Sequence, residues 1–496
     1  MNDYSEQIGS QNPSIWELLH ELWNKIAHIH PVGDDLDTAS SQHIQLVISL
    51  AKFTRNLIAE VPSNQKNAFL IEPQLRQLIY LHTSWSMDNN ENTFAVTRML
   101  VQTLSNLVSG NQELLHQFWA VHIRVPEEQS ILVRLLRSPD LRSIISVLVL
   151  LMNCIHNSYE RGLALVTTGT GIRVCISILD RLDGLSDLPE SGDEGKVFEL
   201  GYMCALFSKL FQLGFFPETY DRTSVQDEVV SPPQTTLLKL LDSFLQPALY
   251  QDGGDHLLNL AGFLAPVFII QAEHVQRAIQ QVIGVPPPDP IVATDVRGNG
   301  GTAPQASGGT LDIQLPGVCV ALVLLSNSLS SILLAERENE SGVNTGPNLV
   351  SLSLPHHDTI SGSWSSTGTG FVEALLETLR QLDIFLPRIN FGKARSPNVH
   401  SPNGDNKVPG QSTDVTGFAY LKRDLVRLLG ILCHDSKAIQ DRVRLCGGIQ
   451  VVLNLCVIDE RNPYLREHAL FTLRNLLHNN PENQVVVDGF RADEHV

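Results

Sequence analysis

Aromatic residues are scarce in this chain, at 6%, and charged residues stop at 18%, yet 43% of the sequence is hydrophobic. Leucine, isoleucine and valine carry that fraction, so any core must close through aliphatic seams rather than aromatic anchors. Basic side chains are outnumbered 35 to 53, for a formal net charge of −18. Such a balance disfavours phosphate backbones and anionic lipid, so neither nucleic acid nor a membrane surface is an expected partner. The seven cysteines are Cys154, Cys175, Cys204, Cys319, Cys433, Cys446 and Cys456. None forms a Cys-x-x-Cys pair, and the odd count without a framework points to reduced thiols buried as small hydrophobes in an intracellular compartment. Met1 to Pro13 lacks a basic region followed by an apolar run, so no leader is expected there. The one long uncharged stretch, Val318 to Ala335, carries Ser326, Asn327, Ser328, Ser330 and Ser331. It reads as a buried helix rather than a membrane span.

Catalytic constellations are also missing. The sequence has no Gly-x-Ser-x-Gly elbow and no His-Glu-x-x-His. Gly169-Thr170-Gly171 and Gly368-Thr369-Gly370 lack the Lys-Ser/Thr that a phosphate loop requires. His28 with His30, and the pair His356-His357, have no thiol or acidic partners at metal-ligand spacing and read as solvated. No enzyme, cofactor or metal site is expected.

What the chain does contain is a repeated helical unit. Leu428-Leu429-Gly430-Ile431-Leu432-Cys433 ends a helix; Gln440-Asp441-Arg442-Val443, a glycine break at Gly447-Gly448 and a helix from Ile449 to Val457 follow. Far upstream, Leu150 to Ile155, the break Gly169-Thr170-Gly171 and Ile172 to Leu179 repeat the design. Asparagine recurs at the helix end: Asn56 before Asn64-Gln65, Asn106 before Asn111-Gln112, Asn153 before Asn157, and Asn475 before Asn483-Gln484. The intervals are 50 and 47 residues upstream and 44 between Ile431 and Asn475, close to the period of about 40–47 for armadillo and HEAT units. One such unit cannot bury its own apolar faces, so copies stack. The expected fold is an all-α, armadillo/HEAT-like α-solenoid, a right-handed superhelix of helical repeats with long disordered insertions.

Residues 1–14 read as a flexible N-terminus and 15–283 as N-terminal repeats, the first helix starting at Asn12-Pro13. Val285-Pro286-Pro287-Pro288 opens a glycine-rich stretch, 284–313, with too few large apolar residues to offset its ordering entropy. Residues 314–416 read as helices interrupted by disordered tracts at 338–370 and 393–416. The C-terminal repeats, 417–490, show the cleanest punctuation. Leu421, Leu425, Leu428 and Leu432 form one apolar face, Asn462-Pro463 and Asn480-Pro481 start helices, and Leu465, Ala469, Thr472, Leu473 and Leu476 line an inward stripe. Lys422, Arg423 and Arg427, with Lys437, Arg442 and Arg444, make a basic island in an acidic chain. It reads either as a dock for an acidic or phosphorylated segment or as a solvated face balanced by Asp424, Asp435 and Asp441.

The C-terminal sequence resembles the ataxin-10 family. The resemblance is carried by Leu421 to Gly430, Gln440 to Arg444, Gly447-Gly448-Ile449, Asp459 to Ala469, Arg474-Asn475-Leu476 and Pro481 to Gln484; its linkers look fungal. Departures are Ile431 in place of asparagine, Gln450 in place of proline and His468 in place of an aromatic. The resemblance implies a cytoplasmic, non-enzymatic armadillo-like scaffold that binds other proteins, with a role in cytokinesis. A self-associating assembly protein, hence a homo-oligomer, is the alternative. By the same likeness, Asn56, Asn106, Asn153 and Asn475 would face a groove and bind a partner's backbone; otherwise they would tie neighbouring helices together.

Overall fold

The computed structural model describes residues 2–11, 14–28, 36–84, 91–186, 194–248, 255–283, 312–342, 355–386, 388–390, 393–395, 418 and 420–492. The expected helix start at Asn12-Pro13 and nearly all of the 284–313 stretch lie outside these residues. The chain divides into two compact units, Met1–Thr223 and Ser224–Val496.

In the first unit, α1 (Asn2–Gly9) and α2 (Ile15–His28) precede three-helix repeats. These are α3 (Leu36–Ile58), α4 (Pro62–Ala68) and α5 (Glu72–His82); then α6 (Glu91–Val108), α7 (Gln112–His122) and α8 (Ile131–Leu136); then α9 (Leu141–Ile155), α10 (Tyr159–Thr167) and α11 (Gly169–Ser186). The unit closes with α12 (Glu194–Gln212) and α13 (Phe216–Arg222). One layer stacks α3, α6, α9 and α12; a second runs through α2, α5, α8 and α11. Leu100, Leu104, Val147, Leu151 and Leu206 fill the seam of the first layer without measurable exposure. The expected flexible N-terminus is instead helical. The Trp16 indole donates to the Gly9 carbonyl at 2.9 Å, and Asn64 Nδ2 donates to the Ser5 carbonyl at 2.8 Å, fixing α1 over the first repeat.

In the second unit, α14 (Pro232–Ala248), α15 (Asp255–Ile283) and α16 (Leu315–Gly342) lead to α17 (Pro355–Ser361) and α18 (Phe371–Phe385). A hairpin, β1 (Arg388–Asn390) with β2 (Lys393–Arg395), follows, antiparallel with Ile389 opposite Ala394. Then come α19 (Leu421–Cys433), α20 (Lys437–Leu445), α21 (Gly448–Leu455), α22 (Leu465–Leu477) and α23 (Pro481–Ala492). Here α16, α19 and α22 stack in one layer and α15, α18 and α21 in another. This is an all-α armadillo-like arrangement in each unit, with the small hairpin as its addition.

Two predicted disordered tracts contain structure. Within 338–370, α16 runs on to Gly342, α17 forms, and Gly362 to Gly370 makes a hydrogen-bonded turn on Glu273. Composition misled because a remote side chain does the capping: Glu336 of α16 accepts from the amides of His356 and His357 at 2.8 and 3.1 Å. The tract 393–416 begins with β2, and the rest of it is outside the described residues. His356 and His357 are not solvated; His357 is 4% exposed and its Nε2 bonds the Leu432 carbonyl at 2.8 Å.

Two helical stretches, Leu257–Ile283 and Leu315–Arg337, are long and apolar enough to cross a membrane. In the structure 50% and 67% of their apolar windows are buried among neighbouring helices, which accounts for their hydropathy as core. The two glycine breaks work differently. Gly447 sits at φ 69° as a left-handed cap, whereas Gly171 is needed because an added Cβ would lie 2.3 Å from the Leu165 carbonyl oxygen.

Candidate functional site

The repeated asparagines lie at one position of the α3, α6, α9 and α22 layer helices. Four residues beyond each comes a left-handed residue: Glu60, Gly110, Asn157 and Asn479, with Asp435 at the same place after Ile431. Asn106 Nδ2 donates to the Arg55 carbonyl at 3.3 Å, Asn153 Nδ2 to Ser105 Oγ at 3.3 Å, and Asn475 Nδ2 to the Gly430 carbonyl at 2.9 Å. In every case the acceptor is the residue just before the equivalent position of the preceding repeat. Asn56, in the first repeat, is exposed and accepts from Arg55. The amide N–H groups therefore stitch repeats together, while the Oδ1 atoms of Asn106, Asn153 and Asn475 take no bond among the described residues.

A second contact completes the stitch in both units. Gln65 Nε2 donates to the Asn106 and Ser109 carbonyls at 2.8 and 2.9 Å, and its Oε1 accepts from Asn111 Nδ2 at 3.4 Å. Gln440 Nε2 donates to the Asn475 carbonyl at 2.9 Å, and its Oε1 accepts from Asn480 Nδ2 at 3.0 Å. Both glutamines are buried. Ile431 cannot donate a side-chain amide, but its carbonyl and that of His434 are held by Arg337 Nη2, each at 2.8 Å. The sequence showed these glutamines only as members of polar pairs; that each bridges to the next repeat depends on helix packing and has no local signature.

The basic island breaks up. Lys422 is fully buried, donating to Asp383 Oδ1 at 3.2 Å and to the Leu386 carbonyl at 3.0 Å. Burial lowers its pKa, against the raising effect of Asp383. Arg388 holds the other Asp383 oxygen at 2.9 Å, so Lys422 fastens α19 to the end of α18 and is not a surface dock. Arg442 forks onto Glu373 and caps the Ser361 carbonyl, and Lys437 and Arg444 pair with Glu482 and Asp441. Arg423 grips buried Asp424 through Nε and Nη2 at 2.6 and 3.0 Å and lies over the Tyr420 ring at 4.3 Å. Arg427 is half-buried and makes no hydrogen bond among the described residues.

On the same layer helices, Tyr464, His468, Phe471 and Asn475 follow one stripe of α22, beside Tyr420 and Arg427 on α19. Tyr464 and Phe471 are 69% and 63% exposed. Burial, with Arg427 and Arg423 nearby, lowers the His468 pKa. This stripe can offer aromatic surface, guanidinium and a side-chain carbonyl to an extended chain, and it holds no nucleophile–base pair.

Elsewhere, a cavity of about 520 Å³ in the first unit is lined by Arg137, Asp180, Arg181 and Lys196 among others. Its arginines already pair with Glu127 and Glu199. Among the described residues no group of three or more His, Cys, Asp and Glu could hold a metal ion. Burial pushes the Cys154, Cys175 and Cys319 thiols up to about 12, as fits packing thiols rather than reactive ones.

Residues 421–496 match the spinocerebellar ataxia type 10 protein domain. The Dictyostelium discoideum ataxin-10 homolog is 40% identical over 71 residues, 14% of this chain and 12% of that protein. The Candida albicans ataxin-10 homolog is 35% identical over 79 residues (16% and 17%), and Bos taurus ataxin-10 is 31% identical over 119 residues, 24% of each chain. The matched segments thus span under a quarter of these relatives' length. Among solved structures, SYS-1 aligns over 94% of this chain and 86% of its own at 12% identity, with a TM-score of 0.31. The likeness to ataxin-10 is thus a property of residues 421–496, which match that protein's domain.

Proposed function

We propose that the protein is a non-enzymatic, cytoplasmic scaffold that binds other proteins along the asparagine-bearing face of its repeats, with a role in cell division. The observation that supports this most is the division of labour at Asn106, Asn153 and Asn475. Each amide N–H is spent on the preceding repeat, and each carbonyl oxygen is left to accept a partner's backbone N–H. The likeness of residues 421–496 to the ataxin-10 domain supports the scaffold reading, and the cytokinesis role rests on that likeness alone. The test is affinity capture with the full chain, comparing Phe471→Glu on this face with Leu445→Glu, which alters a residue 81% exposed on α20. Proteins captured by the wild type should be lost with the first variant and kept with the second. Equal capture by both contradicts the assigned face.

Self-association is a second reading, favoured by the outer edge of the last repeat. Val426 is fully buried under α22, whereas its equivalent one repeat on, Leu470, is 46% exposed, and Val485 of α23 is 69% exposed. Gln484 donates to the Leu477 carbonyl at 2.8 Å, as Gln440 does to Cys433, but clamps no second repeat among the described residues. Light scattering across a range of concentrations decides this reading: a mass fixed at one chain rejects it.

A further inference from the structure

Tyr420 and Tyr464 occupy the same position in the last two repeats, 44 residues apart, immediately before α19 and α22. Both adopt the left-handed conformation, at φ 67° and 65°, which bulky side chains rarely take without compensation. Both rings are nonetheless exposed, at 46% and 69%, so no core packing of the ring repays the strain. Their carbonyls start the helices, accepting from the Asp424 and His468 amides at 2.9 and 3.2 Å. Any small residue, glycine best, could do that work with less strain. The rings themselves are the remaining reason for tyrosine.

Beside them, the charge balance is unusual for a chain of net charge −18. Three groups face Arg427 besides its helix neighbour Arg423: Asp424 from α19, Asp242 from α14 and His468 from α22. Asp424 is saturated by the two-pronged grip of Arg423. Burial raises the Asp242 pKa, with Arg427 opposing the effect and Asp424 adding to it. Arg427 is half-buried and takes no hydrogen bond or ion pair among the described residues, on the layer face that also carries Phe471, at 63% exposure, and the open Oδ1 of Asn475.

We propose that the last two repeats dock an extended protein segment rich in carboxylates, its acidic side chains meeting Arg427 and its apolar ones meeting Tyr464 and Phe471. The proposal rests on the scaffold reading and names the chemistry of the partner. Arginine and tyrosine are the residues that dominate protein interfaces energetically. A short acidic segment fits better than a long polyanion or a lipid surface, because the whole molecule repels both at a distance.

The test places a photo-crosslinking benzoylphenylalanine at Phe471 of the full chain, irradiates it in a cell lysate and sequences what is attached. A parallel chain carries the same group at Leu445. The expected product at 471 is a protein segment with several Asp or Glu residues flanking an apolar one. A synthetic copy of that segment should then bind the wild type and lose about tenfold or more in affinity with Arg427→Glu, with Arg427→Lys in between. Thermal melting of both variants, matched to wild type, guards against misfolding. Segments no more acidic than the lysate average, or a synthetic segment indifferent to Arg427→Glu, overturn the proposal while leaving the scaffold reading intact. Adducts mainly with nucleic acid, lipid or a second copy of the chain overturn it as well. No protein adduct above the Leu445 control overturns both.

Discussion

Gln440→Ala should be among the most damaging single polar changes in the second unit. The wild-type side chain is 2% exposed and makes three hydrogen bonds, to the Cys433 carbonyl at 3.0 Å, the Asn475 carbonyl at 2.9 Å and from Asn480 Nδ2 at 3.0 Å. Truncation takes the side-chain donor from two carbonyls, of which that of Cys433 keeps a long bond from the Ser436 amide at 3.5 Å, and Asn480 keeps its bond to Asp441 Oδ1 at 3.0 Å. A buried group left unpaired costs about 1–3 kcal/mol, and water entering the vacated space recovers part of that for carbonyls near the surface. The expected loss is about 3–5 kcal/mol once the cavity is included. Because repeat stability is set largely by neighbour interfaces, the loss should fall on α22 and α23. Urea unfolding followed by circular dichroism gives the magnitude, and native-state amide exchange gives the location. Asn454→Ala, which removes only an exposed bond from Gln450, is the control and should change stability by less than about 0.5 kcal/mol. A Gln440→Ala loss below about 1 kcal/mol, with amide protection in α22 unchanged, would refute the claim that this side chain binds successive repeats.

Three other changes probe different parts of the account. Lys422→Ala should destabilise by about 1–3 kcal/mol by taking the donor from the Leu386 carbonyl and one of two cations from Asp383, which keeps Arg388, while the folded protein captures its partners as before; lost binding with unchanged melting would restore Lys422 to the surface. Gly430→Ala should cost about 1–3 kcal/mol in chemical denaturation, because the new Cβ would meet Thr472 Oγ1 at 2.5 Å and the Thr472 Cα at 3.3 Å. Burial, and then His43, lowers the His82 pKa from 6.5 to about 4. The folded state thus favours neutral His82, so its contribution is complete above pH 6.5 and declines as pH falls towards 4, by at most about 3 kcal/mol. His82→Gln should flatten that part of the stability curve of the first unit, and an unchanged slope would reject the assignment.

Much of the fold was legible because helix punctuation is local. The asparagine before a left-handed corner, the Asn480-Pro481 start of α23 and the leucine spacing of α19 all sit within a few residues of what they cause, whereas Asn462-Pro463 does not start α22, which begins at Leu465 behind left-handed Tyr464. Leu428 proved fully buried as its stripe required, whereas Leu473 is only half-buried among the described residues. Where composition misled, the cause was a distant partner. Glu336 caps α17 across an intervening stretch of chain, and Lys422 reads as a surface cation until Asp383 from α18 is brought against it. The asparagine positions were visible in the sequence, but not the direction of their amides, because the acceptors lie 45 to 51 residues away. Tyr420 and Tyr464 went unnoticed as site residues because left-handed backbone at tyrosine leaves no mark in the sequence.

The proposed binding face is the layer face carrying Tyr420, Tyr464 and Phe471. Hydroxyl-radical footprinting of the full chain, alone and with a captured partner, tests it most directly. Oxidation of these three rings should fall in the complex while Tyr4 and Leu445, exposed at 75% and 81%, react as before. Unchanged oxidation at all three rings, with protection appearing at Leu445 instead, would contradict it.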